Sequence, residues 1–128
     1  MAKVHLITLL ALATIACFMV GIAVAETHVV GGDFGWFVPP NKTFYEDWAK
    51  NRTFKVGDKL RFPHKTGANN VAEVSKSEYE KCSQGATIRM HADGPALIDL
   101  KAPGDYYFYS SIGLHCEVGQ KLHITVTN

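Results

Sequence analysis

From Lys121 to Thr127 the chain alternates without a break. Leu122, Ile124 and Val126 fall on one face of an extended segment, Lys121, His123 and Thr125 on the other. Successive side chains of a strand point to opposite faces, so this pattern belongs to a half-buried strand and not to a helix. Upstream, short apolar segments recur between Gly, Pro and Asp. His28–Val30 opens as a strand. Phe54, Val56, Leu60 and Phe62 alternate with Lys55, Lys59 and Arg61, with a turn at Gly57-Asp58. Val71–Val74, Ala86–Met90, Ala96–Lys101 and Tyr106–Ser110 follow. Strands at this spacing predict an all-β sandwich or barrel. Thr43–Glu46 and Ser77–Glu80 both have the S/T-x-x-E form of a capping box, which predicts two short helices near Thr43–Ala49 and Ser77–Cys82.

The beginning of the chain obeys another rule. Lys3 precedes Val4–Val24, which is almost entirely apolar and holds no charge. Ala23-Val24-Ala25 is a small-x-small site followed at once by the polar Glu26-Thr27. This reads as a secretory signal peptide over residues 1–25, cut after Ala25. The alternative is an uncleaved signal anchor, since about 20 apolar residues also span a bilayer. Residues 26–128 then make one domain with one small core. No hydrophobic tail for a lipid anchor follows the last strand. The mature chain is therefore expected outside the cell or on the outer face of the plasma membrane, without an anchor and as a monomer.

Charge narrows the partners. The chain has 13 Lys+Arg and 12 Asp+Glu, a net charge of +1. A nucleic-acid binder gathers a basic surplus on one face, and here basic and acidic residues are interspersed, so no nucleic acid is expected. With 47% apolar residues the chain is not disordered either. Cys17 leaves with the signal. Cys82 and Cys116 remain as an even pair in an exported chain, which predicts a disulfide, two buried free thiols being the alternative. Asn41-Lys42-Thr43 and Asn51-Arg52-Thr53 are sequons, so Asn41 and Asn51 are candidate glycan acceptors at the surface.

Among the remaining polar residues, His28, His64 and His91 are read as surface or turn histidines and His123 as solvated. Trp36, Phe37, Trp48, Phe54 and Phe62 are assigned to the core. Tyr106–Tyr109 cannot all face inward. Two-sided burial of a central strand accounts for them, and an exposed aromatic pair able to stack on sugar rings is the alternative. Ser110, His115 and Asp105 are the residue types of a hydrolytic triad. No Gly-x-Ser-x-Gly elbow surrounds Ser110, however, and no enzyme is expected.

One stretch near the end, "YYFYSSIGLHCEVGQKLHITV" (Tyr106–Val126), is the most informative. With "GGDFGW" (Gly31–Trp36), "WAKNRTFKVGDKLRF" (Trp48–Phe62), "NNVAEV" (Asn69–Val74) and "YEKC" (Tyr79–Cys82), it resembles the phytocyanins, plant extracellular blue-copper proteins. The resemblance runs from about Glu26 to Thr127. It implies a cupredoxin-like Greek-key β-sandwich with two short helices. It also implies that Cys116 pairs with Cys82.

The family's copper site has two imidazoles and a thiolate in a trigonal set, with a weak axial Met or Gln. Its first His opens "HNV", its Cys lies five residues before the second His, and the axial residue lies five after. This chain departs from that pattern. Asn69 stands where the first His belongs and Ser110 where the Cys belongs, while His115 and Gln120 are in place. A hydroxyl is not an anionic ligand at neutral pH and lacks the soft sulfur copper prefers, and a carboxamide is a poor neutral donor. The chain is therefore similar to the early nodulin-like branch, and no copper or other cofactor is expected. The resemblance then implies a non-redox cell-wall or cell-surface binding or signalling module. Its partners would be wall carbohydrate, a proteoglycan or a receptor ectodomain. The alternative is a plantacyanin- or stellacyanin-like electron carrier that holds copper.

Overall fold

The structure, a computed structural model, describes residues 24–128. The expected signal segment lies, as far as residue 23, outside the described residues. Eight strands follow, β1 (Thr27–Val29), β2 (Phe54–Lys55), β3 (Lys59–Phe62), β4 (Val71–Val74), β5 (Thr87–His91), β6 (Ala96–Asp99), β7 (Gly104–Tyr109) and β8 (Lys121–Thr127). Two helices interrupt them, α1 (Phe44–Lys50) and α2 (Lys76–Lys81). A three-stranded sheet runs β1-β3-β6 and a five-stranded sheet β2-β8-β7-β4-β5. The pairs β1–β3 and β2–β8 are parallel, and the other ladders are antiparallel.

Strand parity decides where the core lies. Leu122, Ile124 and Val126 of β8 are all buried, with Thr125 and His123 turned out, as the alternation requires. They meet Leu60, Phe62 and Ile98 of the smaller sheet, with Trp36 and Tyr45 closing one end. The Tyr45 hydroxyl donates to the carbonyl of Gly35 at 2.7 Å and accepts from the N–H of Phe37 at 2.9 Å, which pins α1 to the Gly31–Phe37 turn. Burial pushes that hydroxyl's pKa far above its ordinary value. Gly31 makes the turn possible at φ 78°, where a Cβ would sit 2.2 Å from the carbonyl oxygen of Gly35.

Strand β7 lies in the middle of its sheet, and its last two residues, Phe108 and Tyr109, are buried on opposite faces while Tyr106 and Tyr107 are half-buried. Phe108 joins the main core, while Tyr109 packs with Ala72, Val74 and Cys116 on the far side. Two-sided burial thus holds for Phe108 and Tyr109, whereas Tyr106 and Tyr107 keep part of their rings exposed. The disulfide Cys82–Cys116 closes the same far side, with its Cα atoms 5.7 Å apart.

Several expectations need correction. The second helix is capped by Ser75, whose hydroxyl accepts from the N–H of Glu78, and not by Ser77. The S-x-x-E frame begins two residues earlier, where Ser75 has the extended backbone a cap needs. Thr43 makes no cap bond, and its hydroxyl goes to the Asp47 carboxylate at 3.1 Å. Phe37 is 37% exposed and not in the core, because it packs edge-on to Phe34 outside the sandwich. His28 and His64 are buried at 1% and 7% exposure, not at the surface. His28 shares parity with the buried Val30 and finds a carboxylate inside. His64 packs under the Gly94-Pro95 turn, and among the described residues neither of its ring nitrogens has a partner.

Candidate functional site

The ends of β4, β7 and β8 bring Asn69, Ser110, His115 and Gln120 together. Ser110 and Gln120 are paired through the backbone, the Ser110 N–H donating to the Gln120 carbonyl at 3.1 Å. Between them residues 111–119 form a tight turn, in which the His115 N–H donates to the Ile112 carbonyl and the Gln120 N–H to the His115 carbonyl. Gly119 completes the turn at φ 112°, and a Cβ there would come within 2.8 Å of the Lys42 backbone. This geometry carries His115 and Gln120 back over Ser110.

Side chains then close on one another. Gln120 Nε2 donates to Asn69 Oδ1 at 3.0 Å, and Ser110 Oγ lies 3.1 Å from His115 Nδ1. Ser110 and Gln120 are fully buried, Asn69 is buried and His115 is half-buried. Among the described residues, the buried Gln120 Oε1 has no partner. Sequence reasoning missed Asn70, which holds the two loops in register. Its amide donates to Ser111 Oγ and accepts from the Ser111 N–H, both at 2.8 Å, while its carbonyl accepts from Trp36 Nε1. Nothing local in the sequence signals a strap between residues 41 positions apart.

Chemically, this is a closed polar network. Its nitrogen and oxygen donors are one imidazole, one hydroxyl and two carboxamides, and most are already engaged. No thiolate is available, since Cys116 is in the disulfide. The set does not fit type 1 copper, which needs two imidazoles and a thiolate. Nor does it build a triad. Ser110 and His115 are adjacent, but Asp105 Oδ1 is held by His123 Nε2 at 2.9 Å and by the Thr125 hydroxyl at 2.7 Å.

A second polar cluster forms at the opening of β1. Asp58 Oδ1 accepts from the Glu26 N–H at 3.0 Å, and Oδ2 accepts from the Lys55 N–H at 3.0 Å and meets His28 Nε2 at 2.9 Å. Burial alone would raise the Asp58 pKa. These hydrogen bonds outweigh it and hold the carboxyl below the ordinary range. Glu26, His28 and Asp58 present ligand-type atoms within 4.8 Å of one another. The oxygens of Asp58 are spoken for, and Arg52 Nη1 stands 3.5 Å from His28 Nδ1, so the cluster is a hydrogen-bond knot and a poor cation cage.

On the outer face of the larger sheet the Tyr107 and His123 rings stack at 4.5 Å and 12°, with Tyr79 5.2 Å from Tyr107. A groove of about 690 Å3 beside them is lined by Glu46, Asp47, Arg52, Tyr79, His123 and Thr125 among others. Burial, with the Glu46 carboxylate nearby, pushes the Tyr79 hydroxyl up to about 12. Asn41 and Asn51 are both exposed. Among the described residues no helix is long and apolar enough to cross a membrane.

A plastocyanin-like domain model matches residues 36–120. A blue copper protein of Arabidopsis thaliana is 39% identical over 109 residues, covering 85% of this chain and 56% of its own length. Early nodulin-like protein 14 of Arabidopsis thaliana is 36% identical over 111 residues, covering 85% of this chain and 61% of its own. The chain thus spans little more than half the length of these two relatives. Among solved structures, the Cu2+ form of cucumber stellacyanin superposes with a TM-score of 0.75 at 35% identity, covering 82% of this chain and 97% of that one.

Proposed function

This chain belongs to the phytocyanins, a family of plastocyanin-like domains, and we propose that it is an exported member that holds no type 1 copper and acts by binding. One observation carries the reading. Where two imidazoles and a thiolate would surround copper, the Gln120 amide donates to Asn69 and Ser110 lies against His115. The network satisfies most of its polar atoms without a metal, and the sandwich around it is intact. Electron transfer by copper has no ligand set here. A catalytic role is not part of this reading.

The partner we favour is cell-wall carbohydrate. The groove beside Tyr79 and His123 supports it, because aromatic faces take the C–H faces of sugar rings while Glu46, Asp47 and Arg52 offer groups for hydroxyls. The test is a wall-polysaccharide array probed with secreted, chelator-treated protein. Retention that survives chelation and weakens at least tenfold in Tyr79→Ala supports the reading. Retention only after copper loading contradicts it, as does the absence of any wall-polysaccharide binding.

A further inference from the structure

Among the described residues, Glu26 is the first that the fold anchors. Its carbonyl accepts from the Lys59 N–H at 2.9 Å, and its own N–H donates to Asp58 Oδ1 at 3.0 Å. Val24 and Ala25, just before it, are exposed and outside the strand. The Ala25–Glu26 bond is also the one the small-x-small pattern marks for cleavage. Two independent features, a processing signature and the first anchored of the described residues, thus meet at one peptide bond.

Asp58 supplies the third feature. It is 5% exposed, and its donors are the N–H groups of Glu26 and Lys55 and an imidazole nitrogen. Among the described residues no Lys or Arg nitrogen bonds it, and its one ionisable partner, His28 at 2.9 Å, is a cation only when that ring is protonated. The Arg52 guanidinium stands 3.5 Å from His28 Nδ1, and the Glu26 carboxylate 3.9 Å from it. A buried carboxylate is costly without a cation beside it.

We propose that cleavage after Ala25 supplies that cation: the new α-ammonium of Glu26 becomes the charged partner of Asp58, and processing thereby locks β1 onto β3. In the cut, catalysed by a signal peptidase, water adds across the Ala25–Glu26 bond. Its hydroxyl goes to the Ala25 carbonyl and its hydrogen to the Glu26 nitrogen, which then takes up a proton from solvent, since α-amines titrate near about 7.7–8.0. One amide N–H becomes three ammonium N–H groups, and the one aimed at Asp58 Oδ1 becomes charge-assisted, roughly doubling in strength.

The inference rests on export, which belongs to the preceding reading, but not on the absence of copper. The protein is secreted with its own leader and its first residue is read by mass spectrometry. It is compared with a form carrying two extra alanines between Ala25 and Glu26, and with the native form acetylated at the α-amine. The expected result is a free Glu26 amine, and an unfolding equilibrium constant about tenfold larger in both blocked forms. Asp58→Asn should erase that difference. Should Asp58→Asn fail to fold, the acetylated form decides alone. Equal stability of free and blocked forms overturns the proposal, and so does a first residue other than Glu26, a cyclised pyroglutamate, or a difference that persists in Asp58→Asn. Copper uptake would sink the functional reading and leave this result standing.

Discussion

Gln120 Nε2 donates to Asn69 Oδ1 at 3.0 Å in the buried interior, across 51 positions of sequence. Among the described residues, Asn69 Oδ1 has no other hydrogen-bond partner and Gln120 Oε1 has none at all. Removing one member strands the other. Asn69→Leu or Gln120→Leu alone should cost about 1–3 kcal/mol in denaturant unfolding, and the double variant should recover much of that loss. Strict additivity of the two single losses would show that the pair does not act as a unit.

On the family pattern proposed above, His115 and Gln120 stand at the second imidazole and axial positions, and Asn70 already braces both loops. Asn69→His combined with Ser110→Cys therefore completes two imidazoles, a thiolate and an axial amide. That double variant should bind about one Cu(II) per chain and turn intensely blue, while Asn69→His alone should not. Visible absorption during copper titration reads the outcome directly. A colourless double variant would mean that the loops are no longer spaced for the metal.

The link Cys82–Cys116 spans 34 positions. On the loop-entropy model its loss should cost about 4 kcal/mol. Replacing both cysteines by Ala should lower the denaturation midpoint accordingly, and a change below about 1 kcal/mol would show that the unfolded chain is not restrained by this bond.

Acid should weaken β1 through Asp58. Its folded pKa is depressed, so its contribution is complete above the unfolded carboxyl value of about 3.9 and is lost as pH falls through the folded value. Urea midpoints measured down to about pH 2 should decline in the native protein, and Asp58→Asn should remove part of that decline. An unchanged acid slope in Asp58→Asn would assign the acid sensitivity elsewhere.

Local patterns reported the strands well. The alternation at Lys121–Thr127 coincides with β8, where parity decides the faces, and the short apolar run Val71–Val74 coincides with β4, which is buried on both faces. The spacing of Asn69, Ser110, His115 and Gln120 points to one cluster, and the four do come together; that the cluster is a relict copper site belongs to the proposal. Other features depended on partners far away. His28 reads as a polar strand opening until Asp58, 30 positions on, is brought against it. Asn70 looks like a second polar residue in a loop until Ser111 arrives. Phe37 looks like core by composition, yet the Tyr45 hydroxyl holds its backbone in a turn that leaves the ring outside.

The most direct test of the account is metal content and visible absorption of the secreted protein after exposure to excess Cu(II) and desalting. The account predicts a colourless protein that does not acquire a type 1 spectrum. About one tightly held copper per chain, with an intense blue band that a reductant bleaches reversibly, would contradict it.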